Sequence, residues 1–340
     1  MPTSIIDLFC GAGGFSYGMS DLGAEIVAGF DNDQISLDTF KANHPYAGIF
    51  NTDLSHKINN IKDFLDIDLV IGGPPCQGYS ISGLRDPKDF RNQLYKVYFN
   101  TLKVLKPRVF ILENVPNMVS MDNGNFKKAV INYLDELGYF INVQVLTASD
   151  FGIPQRRKRV FFFGCKDKNF KLRKSESNIS VSCRDALSDL PDFDMDNGEA
   201  YPAIPQGAYQ KKMRDKSQGV WNHILTKHTK KTKDIISLVP DGGNYKDLPA
   251  ELQNTRKVNI AWTRFNSKKE SFTIDTGHRH HFHYQFNRIP TVRESARLQS
   301  FYDKFIFRGS KTSQYKQVGN AVPPLLASEI YAQMKDEQIL

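Results

Sequence analysis

The 340-residue sequence has little cysteine: four residues, at positions 10, 76, 165 and 183, with no CxxC pair. That scarcity argues against a disulfide scaffold and a zinc ribbon and fits a reducing compartment, so a cytoplasmic location is expected. No apolar run approaches the ~18 residues that span a bilayer; the densest is Val160-Phe161-Phe162-Phe163. The opening Met1-Pro2-Thr3-Ser4-Ile5-Ile6-Asp7 lacks the basic head and apolar core of a signal peptide. The dinucleotide fingerprint G-x-G-x-x-G is missing, which disfavours a nicotinamide oxidoreductase, and so is the phosphate loop G-x-x-x-x-G-K-[ST]. There is no internal repeat and no long low-complexity segment.

What is present is enough apolar residue, 40%, for a packed core. At ~150 residues per domain the length suggests two domains, or one with an insert. Lys and Arg number 45 against 37 Asp and Glu, and the excess is concentrated. Residues 155–174 carry nine basic side chains and one acid; residues 211–234 carry eight and two. Such clusters suit a polyanion, because cations that neutralise phosphates release counterions.

Apolar stretches that read as strands fall at 4–9, 25–31, 68–71, 109–112, 139–147 and 159–165, with helical stretches following 14, at 35–43, 93–105 and 126–137. Gly138 is a natural left-handed stop for the last of these. Short apolar strands alternating with helices predict an α/β fold, a parallel sheet covered on both faces. After about 175 the alternation fails, and it returns only at 293–301 and after Pro324. A first domain over 1–178, completed by 313–340, is therefore expected to hold a smaller irregular domain over 179–312.

Six blocks carry candidate chemistry. Asp7-Leu8-Phe9-Cys10-Gly11-Ala12-Gly13-Gly14 follows the first strand, where glycines let a ligand approach the backbone. Asp31, ending the second strand, is placed to hold a ribose through its hydroxyls. Gly72-Gly73-Pro74-Pro75-Cys76 follows another strand, and a cysteine on a loop at the ligand-binding edge of such a sheet is a candidate nucleophile. Glu113-Asn114-Val115 ends the next strand, where a low dielectric would raise the carboxyl pKa and suit it to donate a proton. Pro154-Gln155-Arg156-Arg157-Lys158-Arg159, Arg293-Glu294-Ser295-Ala296-Arg297-Leu298-Gln299-Ser300-Phe301 and Gln317-Val318-Gly319-Asn320-Ala321-Val322-Pro323-Pro324 complete the set.

In this order the blocks resemble the signature of the DNA (cytosine-5)-methyltransferases, bacterial or phage restriction-modification type, over nearly the whole chain outside roughly 175–290. The resemblance implies an S-adenosylmethionine-dependent methyltransferase fold, a Rossmann-like, mostly parallel sheet, with a target-recognition domain at 179–312. Phe9, Ala12 and Gly14 would line the S-adenosylmethionine pocket, with Asp31 on the ribose, Asp53 on the adenine amino group and Leu54 beside it. Leu94, Asn320 and Ala321 would close the pocket. Asn32 stands where some relatives carry an aromatic that stacks on adenine, so that contact is in doubt. Cys76 would be the nucleophile and Glu113 its acid partner, with Arg157 and Arg159 holding the target base and the loop around it. Ser82 would face DNA from a mobile loop.

In the variable domain Arg256, Arg264 and Arg279 are the expected DNA contacts, near Trp262. His278, His280, His281 and His283 have no finger spacing and no neighbouring cysteine, so no metal is expected. Methylation of C5 in a flipped cytosine of a short duplex site is the expected activity, through a covalent bond from Cys76 to C6. The rivals are a tRNA cytosine-5 methyltransferase, disfavoured by the size of the variable domain, and a catalytically silent DNA-binding repressor, disfavoured by the intact Cys76, Glu113 and Arg159. A monomer is expected, acting on double-stranded DNA and partnered functionally by a restriction endonuclease.

Overall fold

A computed structural model describes residues 1–59, 61–64, 66–75, 91–174, 180–253, 262–277 and 281–340. Two compact units are present: Met1–Thr147, Lys158–Lys174 and Leu326–Leu340 form the first, and Ala148–Arg157 and Ser175–Leu325 the second. Relative to the expected boundaries, the second unit also takes in residues 148–157 and 313–325.

In the first unit, strands β1 (Ser4–Leu8), β2 (Glu25–Asp31), β3 (Gly48–Asn51), β4 (Leu69–Gly72), β5 (Val109–Asn114), β6 (Phe140–Thr147) and β7 (Lys158–Cys165) form one sheet. Its order is β3-β2-β1-β4-β5-β7-β6. The pairs from β3 through β5 are parallel, whereas β7 runs antiparallel to both β5 and β6. The central strands β4 and β5 are buried along their whole length, which explains their unbroken apolar text. Helices α1 (Gly14–Ser20), α2 (Gln34–Asn43), α3 (Arg91–Leu105) and α4 (Asn125–Glu136) connect the strands. Asp33 starts α2 by accepting the Ile35 amide, and Gly138, with φ +81°, ends the segment after α4. Tyr95, Tyr98 and Leu102 on α3 pack with Val70, Phe110 and Leu112 in one core that reaches Leu134 and Phe162.

The second unit holds the short helices α5 (Cys183–Leu187), α6 (Ala208–Met213), α7 (Lys230–Ser237) and α8 (Ala250–Gln253) and the two-residue strands β8 (Thr263–Arg264) and β9 (His281–Phe282). Helices α9 (Val292–Leu298) and α10 (Lys311–Asn320) follow. Thr291 and Glu294 cap α9 reciprocally, side chain to backbone in both directions. A core of Ile235, Ile236, Val239, Leu248, Trp262, Phe282 and Ile289 holds its middle together. Helix α11 (Pro324–Asp336) closes the chain, and Ser328 donates to the Gly18 carbonyl at 2.7 Å. Among the described residues no helix is long and apolar enough to cross a membrane.

Candidate active site

The carboxyl ends of β1, β2 and β3 lie side by side because these strands are parallel neighbours. After β1 the chain turns sharply: Phe9 has φ +59° and Gly11 φ +51°. Gly11 has open space where a side chain would begin, so a ligand can meet the backbone there. Its amide donates to Asp31 Oδ2 at 2.8 Å, and the Asp33 amide donates to Oδ1 at 2.9 Å. Each oxygen keeps lone-pair capacity for a further donor. Burial raises the Asp31 carboxyl above its ordinary range, against the pull of those amides. Below it, buried Asp7 is pushed up to about 7, mainly by loss of solvent, while it accepts the Ser16 hydroxyl.

Around this turn Ala12 and Gly14 are buried, Phe9 is half-buried against the core, and Asn32 is exposed. Asp53 is exposed just past β3 and held low, first by the Ser55 amide, at 2.9 Å from Oδ1. Leu54 is buried in the core and Leu94 packs against its edge.

The ends of β4 and β5 form a second cluster. A side chain at Gly73 would begin 3.0 Å from Glu113 Oε2, so glycine there lets the carboxylate lie against the segment leaving β4. Arg159 Nε stands 3.0 Å from Glu113 Oε1, and both side chains are largely buried. At the apolar end of β5, Glu113 therefore sits beside a guanidinium. Next to it, Asn114 Nδ2 donates to the Pro74 carbonyl at 2.8 Å and to the Tyr95 hydroxyl at 2.5 Å. Tyr98, one turn further along α3, reaches the Val70 and Ile111 carbonyls at 3.3 and 3.1 Å. Two tyrosines at i and i+3 thus grip both strands from one helix face. Their only signal in the sequence is that spacing, which reads equally well as core.

Cys76 and Ser82 lie outside the described residues, as do Arg256, Arg279, His278 and His280. The other three cysteines, Cys10, Cys165 and Cys183, are buried. Burial pushes all three thiols up, Cys165 to about 12, away from the reactive thiolate.

Arg157, expected with Arg159 to hold the target base and the loop around it, is buried in the second unit. It donates to the Ile274 carbonyl at 3.2 Å and the Gly319 carbonyl at 2.8 Å. Gln155 accepts the Ile274 amide and donates to Gln299, whose amide reaches the Ala321 carbonyl at 2.6 Å. Three motifs far apart in sequence are joined by this relay, next to Asn320, which is exposed, and Ala321, which is half-buried.

Arg264, expected on DNA, is also a framework residue. Its guanidinium donates to the carbonyls of Val239, His283, Phe286 and Ile236 and to Asn287 Oδ1, which occupies all five N–H groups. The arginines of the 293–301 block are buried likewise: Arg297 pairs with Asp189 and Asp303, and Arg293 donates to the Trp221, Tyr302 and Phe305 carbonyls. His283, far from reaching out, accepts the Gln285 and Phe286 amides.

The basic text of 155–174 is partly spent within the fold as well, since Arg173 meets Glu337 and Lys166 donates to the Lys106 carbonyl. By contrast Lys227, Lys230, Lys231 and Lys233 are exposed, three of them on α7. Two open its first turn, where the helix dipole disfavours cations, and Lys230 is offset there by Asp234, 3.0 Å away one turn on.

A family model described as C-5 cytosine-specific DNA methylase matches residues 3–336. The chain is 34% identical to the Type II methyltransferase M.DdeI of Desulfomicrobium norvegicum, over 96% of this chain and 87% of that one. It is also 34% identical to the Type II methyltransferase M1.HphI of Haemophilus parahaemolyticus, over 97% and 86%. Among solved structures, a chain titled as a prophage-encoded DNA modification methyltransferase of E. coli superposes with a TM-score of 0.81 at 27% identity, over 98% and 99% of the two chains. Entamoeba histolytica methyltransferase EhMeth shares the fold at 16% identity and a TM-score of 0.70, over 99% of both.

Proposed function

The chain belongs to the family of C-5 cytosine-specific DNA methylases, and from that premise we propose how its residues divide the work. It is a DNA (cytosine-5)-methyltransferase of the Type II kind, and cytosine C5 is the atom it methylates. S-adenosylmethionine, when bound, supplies the electrophilic methyl group. The turn after β1 fits its adenosine: Gly11 leaves room, and Asp31 offers lone pairs to the ribose hydroxyls. Phe9, Ala12, Gly14, Asp53, Leu54 and Leu94 are proposed to line the pocket.

Cytosine C5 alone is too weak a nucleophile to take a methyl group. The Cys76 thiolate is proposed to add at C6, which makes the ring an enamine with nucleophilic C5. Addition builds negative charge towards N3, and a proton or strong hydrogen bond from Glu113 balances it. Arg159, 3.0 Å from Glu113, holds that carboxyl group in place and contributes positive charge beside the base. After C5 has gained its methyl group, loss of the C5 proton expels the Cys76 sulfur and restores the aromatic ring. In a duplex C6 is stacked, so the target base must be flipped out at a cost of a few kcal/mol.

One observation carries this reading: the segment leading to Cys76 leaves β4 against Glu113, and Arg159 closes on the same carboxylate. The burial of Cys10, Cys165 and Cys183 supports Cys76 as the reactive thiol. The second unit is proposed to read the site, with Lys227, Lys230, Lys231 and Lys233 on phosphates. Double-stranded DNA is the proposed substrate, a cytoplasmic monomer the proposed form, and a cognate restriction endonuclease the functional partner. A tRNA target or a silent repressor is not favoured, because the curated relatives named above are Type II methyltransferases. Bisulfite sequencing of DNA from cells expressing the protein tests the reading. Protected cytosines should fall at one short recurring site, and complete conversion throughout the genome would overturn it.

A further inference from the structure

We propose that Tyr95 is a positioning residue for methyl transfer, acting through Asn114 on the segment that leads from β4 to Cys76. The proposal rests on the catalytic reading above, and it adds a residue outside the six blocks.

The orientation of the Asn114 amide is determined by its neighbours. The Pro74 carbonyl can only accept and the Val115 amide can only donate, so Nδ2 faces Pro74 at 2.8 Å and Oδ1 faces Val115 at 2.8 Å. That leaves one N–H on Nδ2, and it points at the Tyr95 hydroxyl oxygen, 2.5 Å away. The Tyr95 hydroxyl passes its own proton on to Met118 Sδ at 3.7 Å. Each polar atom in this chain has its partner, and Tyr95 and Asn114 are both buried, where a lost partner is costly and a satisfied network is stiff.

The chain links three elements that the site depends on. Asn114 is covalently next to Glu113, and Pro74 lies two residues before Cys76. Tyr95 brings in α3, which is anchored independently by Tyr98 on the Val70 and Ile111 carbonyls. Without the Tyr95 hydroxyl, one buried Asn114 N–H loses its acceptor, and the amide is held less firmly, by Pro74 and Val115 alone. Errors of a fraction of an ångström between a nucleophile and an acid matter to rate, because the reacting atoms must meet at close range. Core packing does not require the hydroxyl: the Tyr95 ring packs edge-on against Phe126 at 5.4 Å and lies near Phe99, contacts that phenylalanine would keep.

Tyr95→Phe is the test, in the full-length protein with duplex DNA and S-adenosylmethionine. One neutral hydrogen bond corresponds to about a threefold to tenfold change, and the single-turnover methylation rate should fall by that factor. The Kd values for DNA and for S-adenosylmethionine should stay as in the wild type, and the melting temperature should fall by no more than a few degrees. Asn114→Ala should lower the rate further, and adding Tyr95→Phe to it should cost nothing more, since the hydroxyl acts through the amide. A Tyr95→Phe enzyme with wild-type rate, or with the same penalty in the Asn114→Ala background, would overturn the proposal. A loss of melting temperature with an unchanged rate per folded enzyme would also overturn it, by making Tyr95 merely structural. Wild-type protein that methylates no DNA would instead sink the catalytic reading itself.

Discussion

Arg159 and Glu113 face each other diagonally across the antiparallel β5–β7 pair: Glu113 is opposite Phe161, and Arg159 lies two residues from Phe161 on the same face. A sheet register therefore presents a carboxylate and a guanidinium together at 3.0 Å, with no loop involved. Strand-borne groups hold their geometry better than loop-borne ones.

Removing either partner should be expensive for chemistry and mild for binding. Removing one member of a largely buried ion pair leaves the other charge uncompensated, so Arg159→Ala should slow single-turnover methylation by at least about tenfold to a hundredfold. Arg159→Lys should recover only part of the loss, because an ammonium cannot reproduce the planar fork. S-adenosylmethionine affinity, measured by calorimetry, should hardly move. An Arg159→Ala enzyme at wild-type rate would remove Arg159 from the site.

Arg264→Met should destabilise the second unit and not selectively weaken DNA binding. Five neutral acceptors would lose their donor, and each buried polar group left unsatisfied costs about 1–3 kcal/mol. Limited proteolysis and thermal melting should both report the loss, and Arg264→Lys should fail to restore it. A folded variant with weaker DNA binding and a shallower salt slope would reinstate Arg264 as a phosphate contact.

The exposed lysines should behave the other way. Neutralising Lys227, Lys230, Lys231 and Lys233 together should leave melting unchanged and flatten the slope of log K against log salt by up to ~3–4 units. Titrations at several salt concentrations settle it, and an unchanged slope would reduce this cluster to solvated surface.

Much of the first unit is legible in the sequence because its buried parallel strands are short apolar runs that stop at glycine or an acid. The strand at 25–31 and the helix ending before Gly138 are read to within a residue. Strand β3 is missed: it has four residues, none of them buried. The direction of β7 is also hidden, since apolar runs carry no sign of parallel or antiparallel pairing. At the site, strand ends locate Glu113, Asn114 and Asp31, but not what surrounds them. Arg157 and Arg159 look alike in the text. One precedes β7 and buries itself against carbonyls 117 and 162 positions away, and the other meets Glu113. Arg264 misleads for the same reason, because its partners come from two stretches of the second unit, 236–239 and 283–287, both distant from it in sequence.

Asp7 should make stability depend on pH in a definite direction. Its carboxyl is raised from 3.8 to about 7, chiefly by burial. Between these values the folded protein holds a proton that the unfolded chain has lost, so the contribution of Asp7 falls as pH rises and levels off above 7. Asp7→Asn removes that dependence and still offers an oxygen to Ser16. Its advantage over the wild type should grow from pH 4 to 7, with a ceiling of about 4 kcal/mol. Urea denaturation at pH 4.5, 6 and 8 checks this, and a variant less stable than the wild type at pH 8 would contradict it.

The covalent step is open to a mechanism-based trap. With 5-fluorocytosine at the target, Cys76 can still add at C6 and C5 can still gain a methyl group. Release then fails, because fluorine cannot leave C5 as a cation where a proton would. The protein should stay attached to DNA through denaturing electrophoresis, and only in the presence of S-adenosylmethionine. Cys76→Ser should abolish the band, since an alcohol ionises far less readily than a thiol. Cys10→Ser, Cys165→Ser and Cys183→Ser should retain it, in keeping with their burial and raised thiols. Glu113→Gln should slow trapping severely, because an amide has no acidic proton to give at N3. An adduct that survives Cys76→Ser, or that requires one of the buried cysteines, would show that the nucleophile lies elsewhere.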